Sequence, residues 1–181
     1  ALTLRAMLYH ELVRNWGDVP FKTEPTKNDL SNINTGKTDR DVIMDALIAD
    51  LEEAINYLPW AGQNSYTTEH VTKGYAHALL AQIALQRSGW AIREAAKEGY
   101  VTASENSDPT YPTQRCSDED RAKYYKLALT HLNEVISSGK HQLNPSFDNE
   151  WTLINSQTLD TQYQENIFEV PMGLGNSSEL G

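Results

Sequence analysis

Two segments some seventy positions apart constrain this chain more than any other feature. LRAMLYHELVRNWG (Leu4 to Gly17) and LLAQIALQRSG (Leu79 to Gly89) place small and apolar residues in the same rhythm, and each closes on a glycine. Leu12 aligns with Ala84, and Gly17 with Gly89, at a shift of 72. A repeated helical part that ends in the same way must stack on its neighbours, because one such unit cannot bury its own apolar face.

The spacing predicts four main helices. The first runs from about Leu2 to Trp16, with Gly17 as a left-handed cap and Pro20 preventing continuation. The second begins near Thr38 or Asp39, with Asp41 in a first turn that favours negative charge, and ends at Pro59. Its apolar set is Ile43, Ala46, Leu47, Leu51, Ala54, Ile55 and Leu58. The third, Val71 to Ser88, is apolar around most of its circumference, as suits a helix packed on more than one side. The fourth follows a Ser117 cap and the acidic turn Asp118, Glu119 and Asp120, and runs to about Ser138. WAIREAAKEG reads as a short helix, and Ile167 to Met172 as a strand.

Pairing the helices, Ala46, Leu51, Ala54 and Ile55 align with Leu127, Leu132, Val135 and Ile136 at a shift of 81. The pattern is tetratricopeptide-like: a first helix of small residues ending in Gly, then a second ending near Pro or Gly. It departs from such repeats in its connectors, about 20 and 30 residues within each pair, where the usual turn is short and the period ~34. The expected fold is mainly α: a right-handed superhelix of helix pairs with long loop inserts and minor short β structure near the C-terminal end. The expected division is one unit over 1–181, with a first pair at 2–59, a second at 71–139 and a loop and strand region at 140–181. Helical periodicity from the second residue, without a capping signal, and a polar stop at NSSELG read as a piece of a longer chain.

Charge narrows the function. Only 15 Lys and Arg face 25 Asp and Glu, a formal net charge of -10, which opposes nucleic acid binding because that affinity comes from cations neutralising phosphates. No apolar run approaches the ~20 residues that cross a bilayer. The single cysteine, Cys116, reads as a spare thiol in a loop and says nothing of redox compartment.

Catalytic signatures are missing: HExxH, GxSxG and GxxxxGK[ST] do not occur. Gly173 and Gly175 follow the expected strand, but Ser178 stands where a dinucleotide loop needs its third glycine. His70 and His77 share a helical spacing without a third metal ligand, and the acidic trio at 118–120 suits helix capping better than calcium. Neither an enzyme, a cofactor nor a metal is expected. The aromatic residues are more informative: Trp60, Tyr66, Trp90, Tyr100, Tyr111 and Trp151 lie in or beside connectors. A flat apolar ring with polar flanks suits a sugar, and the insert from Trp90 to Arg115 carries such flanks. Trp90, Tyr100, Tyr111 and Arg115 are the candidate ligand-binding residues, although for any one ring the commoner role of a large aromatic in a long loop is to staple that loop to the body.

LRAMLYHELVRNWGDVPF, ALIADLEEAINYLP, TKGYAHALLAQIAL, YYKLALTHLNEVISSGKHQLNPSF and ENIFEVPMG, in this order, resemble the SusD/RagB family of nutrient-binding outer-membrane lipoproteins from Bacteroidetes. The resemblance spans nearly the whole sequence. It implies four tetratricopeptide-like helix pairs, about two of them here, and a protein that binds without hydrolysing. It further implies a polysaccharide or oligosaccharide ligand, a SusC-like TonB-dependent transporter as partner, and a position on the outer face of the outer membrane through a lipid anchor upstream of these residues. Cys116 does not match the lipidated cysteine, and no position inherits a ligand role, since the family's binding residues sit in variable loops. The alternative is a tetratricopeptide-like scaffold for a protein partner without glycan binding.

Overall fold

The computed structural model describes residues 1–105 and 107–170. Among the described residues there are five helices, α1 (Leu2–Trp16), α2 (Arg40–Ala54), α3 (Lys73–Arg87), α4 (Asp118–Ser137) and α5 (Phe147–Asn155), and a small sheet of β1 (Ala91–Ile92), β2 (Val101–Thr102) and β3 (Thr113–Arg115) inserted between α3 and α4. The fold is mainly α with tetratricopeptide-like packing.

Local chemistry sets the helix starts. Asp39, Thr72, Ser117 and Ser146 each accept a backbone N–H from the first turn of α2, α3, α4 and α5, satisfying donors that have no partner within the helix. At the end of α1, Gly17 adopts φ +72° and its N–H donates to Val13 O at 2.9 Å, a conformation that costs glycine nothing. The chain then turns beneath Arg40, whose guanidinium lies against Gly17 and donates to Asp18 Oδ1 at 2.8 Å. The long connector closes with Thr38 N–H donating to Val19 O at 2.9 Å.

α3 is the central helix. It packs on both α2 and α4, while α1 lies on α2 and touches α3. This explains its composition: Ala76, Ala81 and Ala84 let neighbours approach closely, while Leu80 and Ile83 fill the space between. They meet Ile43, Leu47 and Leu51 of α2, Ala6 and Val13 of α1, and Ala128 of α4 in one buried cluster. Each large aliphatic side chain buried there contributes about 1.5–3 kcal/mol.

Polar links pin the helices pairwise. Arg5 grips Asp50 with two hydrogen bonds, at 2.7 and 2.6 Å, joining α1 to α2. His10 Nε2 lies 2.6 Å from Gln86 Oε1, joining α1 to α3, and His77 Nδ1 lies 2.8 Å from His131 Nδ1, joining α3 to α4. Trp60 stacks on the His77 ring at 5.8 Å and 10°, so this connector aromatic is a staple.

Three expectations change. WAIREAAKEG is not helical: Ala91 and Ile92 form a strand, because Arg93 and Lys97 are drawn to a buried carboxylate on α2. The described β structure lies in this insert rather than near the end of the chain. Of the expected strand, Ile167 and Phe168 lie in a bend and Glu169 and Val170 have no regular structure, with Phe168 stacked on Tyr75 at 4.2 Å and Glu169 N–H donating to Thr68 O; Pro171 and Met172 lie outside the described residues, as do Gly173 and Gly175. Cys116 is fully buried, packed in the core beside Ser88 rather than spare.

Candidate functional site

The insert between α3 and α4 is a three-stranded antiparallel sheet in the order β1-β3-β2. Ala91 faces Gln114, Ile92 faces Thr113, Val101 faces Arg115 and Thr102 faces Gln114. So small a sheet has no core of its own and must be held from outside. Gln114, on the middle strand, is buried: its Oε1 accepts Lys97 N–H at 2.8 Å and its Nε2 donates to Thr102 Oγ1 at 3.0 Å.

The main anchor is Asp41, in the first turn of α2 and only 2% exposed. Its Oδ2 accepts from Tyr100 OH at 2.7 Å, Lys97 Nζ at 2.8 Å and Arg93 Nη1 at 2.9 Å, and Arg87 Nη1 stands 3.8 Å away. Lys97 also bridges to both oxygens of Asp39. Burial pushes the Asp41 carboxyl up, but the bonds from Lys97 and Tyr100 and the two guanidiniums outweigh it and hold the group below the usual carboxylate range. Burial and the bond to Asp41 push Tyr100 up. The Arg93 guanidinium, the Lys97 ammonium and the Tyr100 phenol thus fasten the insert to the positive end of α2, with Arg87 of α3 beside them.

The four candidate residues separate on this frame. Tyr100 is partly buried, its hydroxyl committed to Asp41 and its ring beneath Arg93 at 5.2 Å and Lys97 at 4.7 Å. Trp90 and Tyr111 are open, 48% and 54% exposed, and flank the β1–β3 ladder. Arg115 lies over the Trp90 ring at 5.2 Å, while its Nη2 meets Asp118 Oδ1 at 2.7 Å and its Nη1 donates to Cys116 O at 3.0 Å. Trp90 and Arg115 therefore form one unit and Tyr111 a second, whereas Tyr100 belongs to the anchor. A further ring on the first turns of α4, Tyr125, is 48% exposed and carries the Arg121 guanidinium at 5.3 Å.

Arg93, Lys97 and Gln114 were not singled out by the sequence, and Asp41 only as a first-turn charge of α2. Arg93, Lys97 and Tyr100 stand at i, i+4 and i+7, a helical period, yet all three converge on one carboxylate from an irregular segment. His70 lies in the loop before α3 with Thr67, so it does not share a helix with His77. Among the described residues, no three His, Cys, Asp or Glu side chains are grouped to hold a metal ion, and no helix is long and apolar enough to cross a membrane.

Comparison with known proteins adds the following. Residues 1–85 match the profile of a SusD-like family described as "Starch-binding associating with outer membrane". A SusD-like protein of Formosa agariphila is 34% identical over 91 residues, covering 48% of this chain and 16% of that protein. A SusD homologue from Bacteroides thetaiotaomicron superposes with a TM-score of 0.63 at 23% identity, over 88% of this chain and 25% of its own. A SusD superfamily protein from Bacteroides fragilis gives 0.60 at 17% identity, over 97% and 30%. This chain thus spans about one sixth of the curated relative and about a quarter to three tenths of the two structures.

Proposed function

The chain is SusD-like, its residues 1–85 matching that family and its helices and insert sharing the fold of SusD homologues, and from this premise we propose that it is part of a glycan-capture protein of the outer membrane. It binds polysaccharide or oligosaccharide on the extracellular face, where the full-length protein is held by a lipid anchor. It passes the glycan without hydrolysis to a TonB-dependent transporter. The match of residues 1–85 to a starch-binding family carries the reading. The insert supports it: Trp90, backed by Arg115, and Tyr111 present aromatic faces to solvent on a sheet fixed to the helices by buried charges. The helix pairs at 2–59 and 71–139 form the body, and residues 140–170 a loop region seated on it through Phe168 on Tyr75 and His141 beside Gly74.

Calorimetric titration with soluble starch and a panel of other polysaccharides tests this. Saturable binding that weakens when Trp90 and Tyr111 are replaced by Ala is expected, and absence of binding to any glycan in the panel overturns it. One observation favours the scaffold reading: Leu4, Leu8, Leu12 and Trp16 form an exposed apolar ridge along α1, at the spacing of a surface that packs on another helix.

A further inference from the structure

The backbones of α2 and α4 stay apart: none of their Cα atoms approach within 8 Å, although each helix packs on a common neighbour, α3. The space between them is a cleft of about 740 Å³, within the ~300–1,000 Å³ typical of small-ligand sites. Asp45, Ile48 and Glu52 of α2 line one wall, and Lys123, Leu127 and Thr130 are among the residues of α4 that line the other. Each wall spans eight positions, 45–52 and 123–130, and seven steps of ~1.5 Å rise give a length of about 10 Å.

One end is closed and the other open. Tyr124 OH donates to Asp45 Oδ1 at 2.6 Å, bridging the two helices. Behind this bridge Arg87 donates to both Asp45 oxygens, at 3.1 and 3.3 Å, and approaches Asp41, the anchor of the insert. The cleft therefore begins one helical turn from the residue that fixes the insert, and Glu52 and Thr130 mark its far end.

Its lining selects among ligands. Carboxylates on α2 face ammoniums on α4, Lys123 and Lys126, so hydroxyls find acceptors along one edge and donors along the other. Between the edges Ile48 and Leu127 offer apolar contact for C–H faces. Both walls are helices whose backbone groups are already bonded, so an extended peptide has no strand edge to join. Two carboxylates and two ammoniums leave the lining itself balanced, and the net charge of -10 on the chain disfavours an acidic glycan.

The geometry points to the α2–α4 cleft as a subsite for a neutral oligosaccharide, separated from the insert by the Tyr124–Asp45 bridge. This rests on the glycan-capture reading and names the ligand class of that reading. The test uses maltotetraose, cellotetraose, xylotetraose and mannotetraose as neutral probes and tetragalacturonate as the acidic one, titrated into the whole chain. Wild type is expected to bind at least one neutral probe at least ten-fold more tightly than tetragalacturonate. The double variant Glu52→Ala/Lys126→Ala, at two exposed positions, is expected to lose affinity for that probe about ten-fold. Glu11→Ala, on α1, should leave affinity within two-fold, and circular dichroism should report unchanged helix content in both variants. Unchanged affinity in the double variant, with wild type still binding, overturns the cleft and leaves glycan capture standing. Preference for tetragalacturonate overturns the neutral ligand. Failure of wild type to bind any of the five removes both the cleft and the reading beneath it.

Discussion

Asp41 Oδ2 accepts the phenolic hydrogen of Tyr100 at 2.7 Å across 59 positions of chain, tying the start of α2 to the far side of the insert. The same oxygen takes Lys97 and Arg93, so one carboxylate determines where the exposed rings stand.

Asp41→Ala leaves Arg93 as a buried cation without its counter-ion, while Arg87 keeps Asp45. Breaking a buried ion pair on one side costs about 3–5 kcal/mol, far above the ~0–1 kcal/mol of a surface pair. Urea denaturation should register the loss, and limited proteolysis should cut first between residues 93 and 112. A loss under 1 kcal/mol, or an insert as resistant as wild type, contradicts the anchor.

The His77–His131 contact makes stability depend on pH. Nδ1 atoms 2.8 Å apart can share one proton between them, not two. Burial first, then the neighbouring His131, lowers His77 from 6.5 to about 4; Lys73 acts in the same direction and Glu134 against it. Burial also lowers His131, opposed by Glu52 and Glu134, and lowers His10. The unfolded chain therefore binds more protons than the folded one. The contribution is fully present above pH 6.5 and is lost as pH falls toward 4, with His77 accounting for on the order of 2–3 kcal/mol. Asp41 titrates below its ordinary range and does not offset this window. Denaturant titrations between about pH 7.5 and 4.5 should give falling stability in wild type and a flatter profile in His77→Gln. Equal slopes would remove the pair as the cause.

Gly74→Ala should destabilise although alanine is the better helix former. A Cβ at Gly74 would stand 2.5 Å from His141 Nε2 and 3.4 Å from the Trp60 ring. The His141 ring cannot swing aside freely, since its Nδ1 is held by Gln164 O at 2.8 Å. Overpacking of about 1–3 kcal/mol outweighs or cancels the ~1 kcal/mol gained from helix propensity. Thermal unfolding decides the sign, and a clearly raised midpoint would show that His141 yields.

Trp90→Ala and Tyr111→Ala, both exposed, should leave the fold intact and weaken glycan binding. Loss of one stacking contact at ~0.5–1.5 kcal/mol corresponds to roughly three- to ten-fold in affinity. Tyr100→Phe, by contrast, should act mainly on stability, because it removes one bond to Asp41. If Tyr100→Phe lowers affinity more than Trp90→Ala without any loss of stability, the assignment of these rings is reversed.

The helices were legible because their signals are local: Asp39, Thr72 and Ser117 cap where their side chains reach the next turn, and Ala76 to Ala84 announce a helix packed on several sides. α5 had its own local signal, Ser146 before Asp148 and Glu150, hidden among short apolar pieces. The insert was not legible in the same way. Arg93, Lys97 and Tyr100 have helical spacing, and only a carboxylate more than fifty positions upstream turns them into a sheet anchor. The exposed rings at Trp90 and Tyr111 followed from loop composition, while the cleft needs two helices distant in sequence to be placed together.

Because the insert is bolted down through Arg93, Lys97, Tyr100 and Gln114, the stretch outward of these bolts is released from any duty to the scaffold. Substitution at Trp90, Ile92 or Tyr111 alters this outward surface at little risk to folding. Such a division leaves the outer face free to vary while the architecture stays constant.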